Sequence, residues 1–187
     1  MTFAPGLLTG AGIALGGSGP VDDVIATRLR SLGATVVVVP SGLFDDEDGL
    51  AAWASEHAPW RALVVATSDA FGSGGSQRLT AAMEGSWRAA RGLATGALID
   101  AEEPTRIVFV APRPGAGAHA GAARASLENL ARTLSVEWAR HGITPVALAP
   151  GDRTTDGELA ELTCFLVSAA GGYFSGCVFE LGGLAAV

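Results

Sequence analysis

Short apolar runs alternate with longer stretches of helical period along the whole chain. The runs at residues 6–9, 35–39, 62–66, 107–110, 144–148 and 177–181 are aliphatic or β-branched with little polar interruption. Apolar runs of this length suit strands buried on both faces, as in a parallel sheet. The intervals between them read as helices near residues 20–32, 46–56, 76–98, 116–140 and 156–168. Strand and helix in alternation predict βαβ units and a doubly wound, Rossmann-like α/β fold, with six parallel strands and helices on both faces.

Local chemistry supports these boundaries. Pro20 stands at a first helical position after Gly19, and the helix it opens ends at Gly33, which follows the Pro-start, Gly-end asymmetry of helices. Thr155, Asp156, Gly157 and Glu158 form a capping box at the start of the last helix. The long helix from Ala116 to Arg140 carries Ala123, Leu127, Leu130, Leu134 and Trp138 at spacings of three and four, an apolar stripe that Ala120 and Ala131 broaden. Residues 71–76 and 113–117 are Gly- and Pro-rich loops rather than linkers. No repeat or charge block divides the chain, so residues 1–187 read as a single domain.

Composition narrows the function classes. With 19 acidic against 12 basic residues and a net charge of -7, phosphate backbones and anionic membrane surfaces are repelled on average. Mean hydropathy is +0.36, yet no apolar run reaches the roughly 18 residues of a spanning helix. The surplus apolar surface is assigned to buried strands and a subunit interface. The N-terminus lacks the basic start and apolar core of a signal peptide, so a cytoplasmic location is expected. Cys164 and Cys177 lack zinc-site spacing and read as buried free thiols. The acidic group 45–48 reads as a helix start rather than a metal cluster, and no metal is expected. His57 and His141 read as solvated helix-end residues.

Candidate binding chemistry begins in the glycine-rich stretch of residues 9–19. Gly10, Gly12 and Gly16 follow the first predicted strand, where glycines let a backbone approach a pyrophosphate. The loop reads as longer than a compact phosphate-binding turn. Asp22 and Asp23 lie in the first turn of the next helix, where the dipole favours them but where they repel a diphosphate. After Val39 the sequence Pro40-Ser41-Gly42 offers neither an acid for a ribose 2′-hydroxyl nor an arginine for a 2′-phosphate.

Thr9-Gly10-Ala11-Gly12, the stretch from Leu32 to Val38, the stretch from Ala125 to Ala139, His141-Gly142-Ile143, Ala149-Pro150-Gly151, Tyr173-Phe174-Ser175-Gly176 and Glu180-Leu181-Gly182-Gly183 together resemble the short-chain dehydrogenase/reductase family, of the 3-oxoacyl-ACP reductase type. The resemblance spans nearly the whole chain, with internal deletions. It implies an NAD(P)-binding fold whose chemistry rests on a Tyr, a Lys, a Ser and an Asn. The Tyr position falls on Ala120 and the Lys position on Arg124, the serine falls near Ala111 and Pro112, and the asparagine falls near Met83 or Glu84. An alanine donates no proton, and arginine does not tune a neighbour as lysine does. All twelve basic residues are arginine, and the sole tyrosine and asparagine, Tyr173 and Asn129, lie elsewhere along the chain. His119, beside the lost Tyr position, is the one candidate substitute acid.

Further departures lie around this centre. The family's cofactor-supporting Asn-Asn-Ala-Gly is here Ala66-Thr67-Ser68-Asp69, and the substrate lid after Pro150-Gly151 is missing. The interval between the second and third runs is too short for the usual edge strand. The resemblance implies assembly through the helix from Ala116 to Arg140 and the C-terminal segment, as a dimer or tetramer. The expected function is a non-catalytic subunit, a pseudoenzyme supporting an active paralogue in a hetero-oligomer, without a resident cofactor. The alternatives are an NAD(P)-dependent oxidoreductase using His119 and Arg124, and a nucleotide- or ligand-sensing Rossmann domain.

Overall fold

The apolar runs form six strands: β1 (Gly12–Leu15), β2 (Thr35–Val38), β3 (Ala62–Ala66), β4 (Thr105–Val110), β5 (Ile143–Pro150) and β6 (Val178–Leu181). In the computed structural model, which describes residues 3–17, 19–67 and 75–182, they pair in the order β2-β1-β3-β4-β5-β6. Every pairing is parallel. β3 and β4 are buried along their full length, which is why their sequences show no alternation. From β2 the chain passes through a 3₁₀ turn (Ser41–Asp45) and one helix directly to β3, which pairs with β1 on the side away from β2. The shortness of this interval thus removes one edge strand and leaves β2 at the rim.

Helices cover both faces. On one face α1 (Pro20–Ser31) and α5 (Asp156–Val167) place Ile25, Leu29, Leu159 and Cys164 against Ile13, Val64, Val108 and Val146. Arg28 Nε lies 2.7 Å from Glu161 Oε1 and ties the two helices together. Burial pushes the Cys164 thiol up to about 12, so it packs as an inert apolar group. On the other face α2 (Glu47–Glu56), α3 (Gly75–Leu93) and α4 (Ala120–Glu137) place Leu50, Leu93, Leu127 and Leu134 against Leu63, Val65, Ile107 and Phe109.

The capping box at α5 forms as its sequence dictates. Thr155 Oγ1 accepts from Glu158 N, and Glu158 Oε2 accepts from Thr155 N at 2.7 Å. Those bonds from Thr155 hold the Glu158 carboxyl below its usual value. Asp46 caps α2 by accepting from Gly49 N.

The first strand departs from the expectation. Residues 6–9 form a turn, and the strand begins six residues later at Gly12. Ile13, Ala14 and Leu15 are fully buried between β2 and β3, whereas Leu7 is 40% exposed. A central strand needs apolar side chains on both faces, and only the later segment supplies them. The expected helix 116–140 is likewise shorter, with 3₁₀ turns at Pro114–Ala116 and Ala139–His141 flanking α4. The end of the expected helix 76–98 is a π turn (Ala94–Leu98).

Candidate functional site

In a doubly wound sheet, ligands sit beyond the carboxyl ends of the strands, where the strand order reverses. That crevice lies here between β1 and β3. It opens as a cleft of about 450 Å3 bordered by Gly16, Phe44, Val65, Thr67, Thr80 and Arg88. Its guanidinium is committed to carboxylates: Arg88 Nη1 lies 2.6 Å from Asp45 Oδ1, and Nη2 lies 3.0 Å from Glu84 Oε2.

The new position of β1 redraws the glycine-rich site. Gly10 has φ +80 in the turn before the strand, and Gly12 is the first residue of β1, where a Cβ would collide with the Pro59 carbonyl oxygen. Both therefore lie at the amino end of the sheet, opposite the crevice. Their glycines answer a left-handed turn and a close backbone approach. Gly16 alone of the three stands between β1 and α1, whose ends at Leu15 and Pro20 are closer in sequence than the expected long loop. Ser18, like Ser68, Asp69, residues 71–74 and Gly183, lies outside the described residues.

The residues at this junction do not fit the diphosphate that the fold implies. Asp22 is 1% exposed, and its Oδ2 accepts the Gly19 N–H at 3.0 Å. Pro20 has no N–H to offer. A carboxylate thus stands at the helix end where a diphosphate would be held. Asp23, its neighbour, is exposed. At the end of β2, Val39 is buried and is followed by Pro40 and Ser41, and the acid that borders the cleft from this side, Asp45, is paired with Arg88.

The catalytic positions inferred from the resemblance gather at the carboxyl ends of β4 and β5. Ala120 is fully buried at the first turn of α4, and Ala111 is buried at the end of β4 with its N–H donated to Leu148 O. His119 is the α4 N-cap residue, and its ring makes no capping bond. Arg124 is half-buried and tied to the backbone of the loops after β4 and β5. Its Nη1 donates to Pro112 O at 2.9 Å and to Pro150 O at 2.7 Å. Met83 is 39% exposed, and neighbouring Glu84 pairs with Arg88. Tyr173 is 92% exposed in the 3₁₀ turn Ala169–Tyr173 after α5, and Asn129 is exposed on α4.

Three residues that sequence reasoning passed over complete the arrangement. Arg113 Nη2 donates to Thr154 O at 2.6 Å and pairs with Asp156 Oδ1 at 2.7 Å. Asp152 Oδ1 accepts from Gly115 N at 2.8 Å. Thr154 Oγ1 accepts from Gly151 N and donates to Leu181 O. With Arg124, these groups lace the loop after β4 to the loop after β5. Their partners lie up to 43 positions apart, so no local pattern marks them.

No protein-family model and no curated protein matches the sequence. Solved structures match its fold over almost their whole length. The citronellol catabolism dehydrogenase AtuB of Pseudomonas aeruginosa PAO1 is 21% identical with a TM-score of 0.76, over 96% of this chain and 96% of that one. The RhlG/NADP active-site complex of Pseudomonas aeruginosa is 19% identical with a TM-score of 0.75, over 97% and 98%. BdcA from E. coli is 20% identical with a TM-score of 0.73, over 94% and 100%. The six-stranded parallel sheet and these likenesses give the chain the fold of the short-chain dehydrogenases and reductases.

Proposed function

We propose that this chain is a non-catalytic subunit of the short-chain dehydrogenase/reductase fold, which pairs with a catalytically complete chain of the same fold. One observation carries this reading: the strand ends that would hold the chemistry are laced together instead. Arg124 spends its charge on two backbone carbonyls, and Ala120 and Ala111 offer neither a proton nor a hydrogen bond. General acid catalysis needs a titratable group at the reacting atom. The partner would supply that group, while this chain supports it through α4 and the segment around β6. Trp87, Met83 and Val136 leave apolar surface exposed on α3 and α4, and Trp87 stacks on Trp138 across the two helices at 6.5 Å.

The solved structures favour a second reading. They include a dehydrogenase and proteins in complex with NADP or NADPH, and on that basis the chain would be an NAD(P)-dependent oxidoreductase using His119 and Arg124. One experiment separates the two. The chain is expressed alone and with candidate paralogues, the purified species are weighed by native mass spectrometry, and each is assayed for NAD(P)H oxidation with a panel of carbonyl substrates. The proposal expects a mixed assembly and no turnover by this chain alone. A homo-oligomer that ignores every paralogue and oxidises NAD(P)H, with loss of activity in His119→Ala, would sink it.

A further inference from the structure

The amino end of α1 carries its own anion, and that residue rejects the group the fold is built to hold. The first intrahelical bond of α1 runs from Asp23 N to Gly19 O, so Asp22 lies in the first turn, where the helix dipole is positive. The junction of β1 and α1 lies where the strand order reverses, and Gly16 at its start borders the open cleft. What differs is the third residue of the helix. The Asp22 carboxylate folds back, accepts from Gly19 N, and lies so close to Gly17 that a Cβ there would stand 2.6 Å from both of its oxygens. It is almost wholly buried, and the dipole of α1 favours its charge.

We infer that the Asp22 carboxylate is a built-in substitute for a ligand phosphate. It fills the space beside Gly17 and Gly19 and excludes diphosphate-bearing nucleotides by charge and by occupancy. The inference rests on the reading above in one respect, that the native chain holds no dinucleotide. It goes further in assigning the exclusion to one side chain, whose removal reopens the site.

Calorimetric titration with ADP, NADH and NADPH at fixed salt tests this, with adenosine as the phosphate-free probe. The proteins are the native chain, Asp22→Asn, Asp22→Gly and the control Asp23→Asn. Asp23 is exposed on the same turn, so its variant changes net charge without opening that space. The native chain and Asp23→Asn are expected to show no saturable binding of the three diphosphates. Asp22→Asn and Asp22→Gly are expected to bind them roughly tenfold more tightly or better, with adenosine unchanged throughout.

Micromolar binding by the native chain would overturn the inference. So would folded Asp22 variants that gain nothing, or an equal gain in Asp23→Asn. Loss of fold in both Asp22 variants would also overturn it, because the carboxylate would then be a folding element that no ligand phosphate can replace. A failure in the variants alone leaves the non-catalytic reading standing, since turnover and co-assembly decide that separately.

Discussion

A methyl group added at Gly17 would lie 2.6 Å from both oxygens of Asp22, closer than real side-chain carbons approach. The carboxylate cannot yield easily, because it is buried and bonded to Gly19 N. Gly17→Ala should therefore destabilise the protein by about 1–3 kcal/mol, the range for overpacking a filled space. Gly10→Ala tests the other origin of a glycine, since φ +80 strains any side chain although space is open there. Urea unfolding of both variants checks the distinction. If Gly17→Ala left the midpoint unchanged, the carboxylate would not fill the space beside Gly17. At this scale the chemistry was legible where it depends on residue type alone. Ala120 cannot be an acid in any fold, and the place of Asp22 in the first turn of α1 is readable from Gly19-Pro20 just before it. Arg113 and Asp152 gave no sign, because their roles come from partners far along the chain.

The elements were legible wherever a periodic pattern ran long enough or a cap announced an end. The capping box at Thr155 and Glu158, the Asp46 cap and the missing edge strand all follow from local sequence. The position of β1 did not, because two four-residue apolar runs stand six residues apart and only tertiary pairing chooses between them. That slip moved Gly10 and Gly12 to the wrong end of the sheet. The joined loops after β4 and β5 belong to the same scale, since neither segment has a ladder of its own. Arg124 is the bolt between them, bonded to Pro112 O and Pro150 O. Arg124→Ala should cost about 2–3 kcal/mol by freeing two part-buried carbonyls from a charged donor. Both bonds leave the single nitrogen Nη1, so Arg124→Lys should recover part of that loss, an ammonium keeping the charge and its donors on a more flexible stem. Equilibrium unfolding measures both, and hydrogen exchange at residues 111–118 and 151–155 should rise in the alanine variant. A change under 0.5 kcal/mol with unchanged exchange would show that the loops hold without the arginine.

For the molecule as a whole, the balance between apolar surface and charge bears on assembly. Mean hydropathy of +0.36 coexists with a net charge of -7, so the carboxylates keep copies apart on average while apolar patches select where contact occurs. Val136, at 79% exposure on α4, is the most open aliphatic side chain among the described residues that are large and apolar, and Trp87 and Met83 stand exposed on the neighbouring α3. An exposed valine contributes little to folding, so Val136→Glu should shift stability by no more than about 0.5 kcal/mol. If α4 is the face that meets a partner, the same change places a desolvated charge in the contact and opposes association. Light scattering and native mass spectrometry should then show the variant as a monomer, with the thermal midpoint of the isolated chain unaltered. Trp87→Ala should weaken assembly as well, since aromatic anchors carry much of the energy of an interface. An unchanged mass for both variants would place the assembly surface elsewhere, and the segment around β6, where Phe174 meets Phe165 at a tilt and Phe179 edge-to-face, would become the face to mutate next.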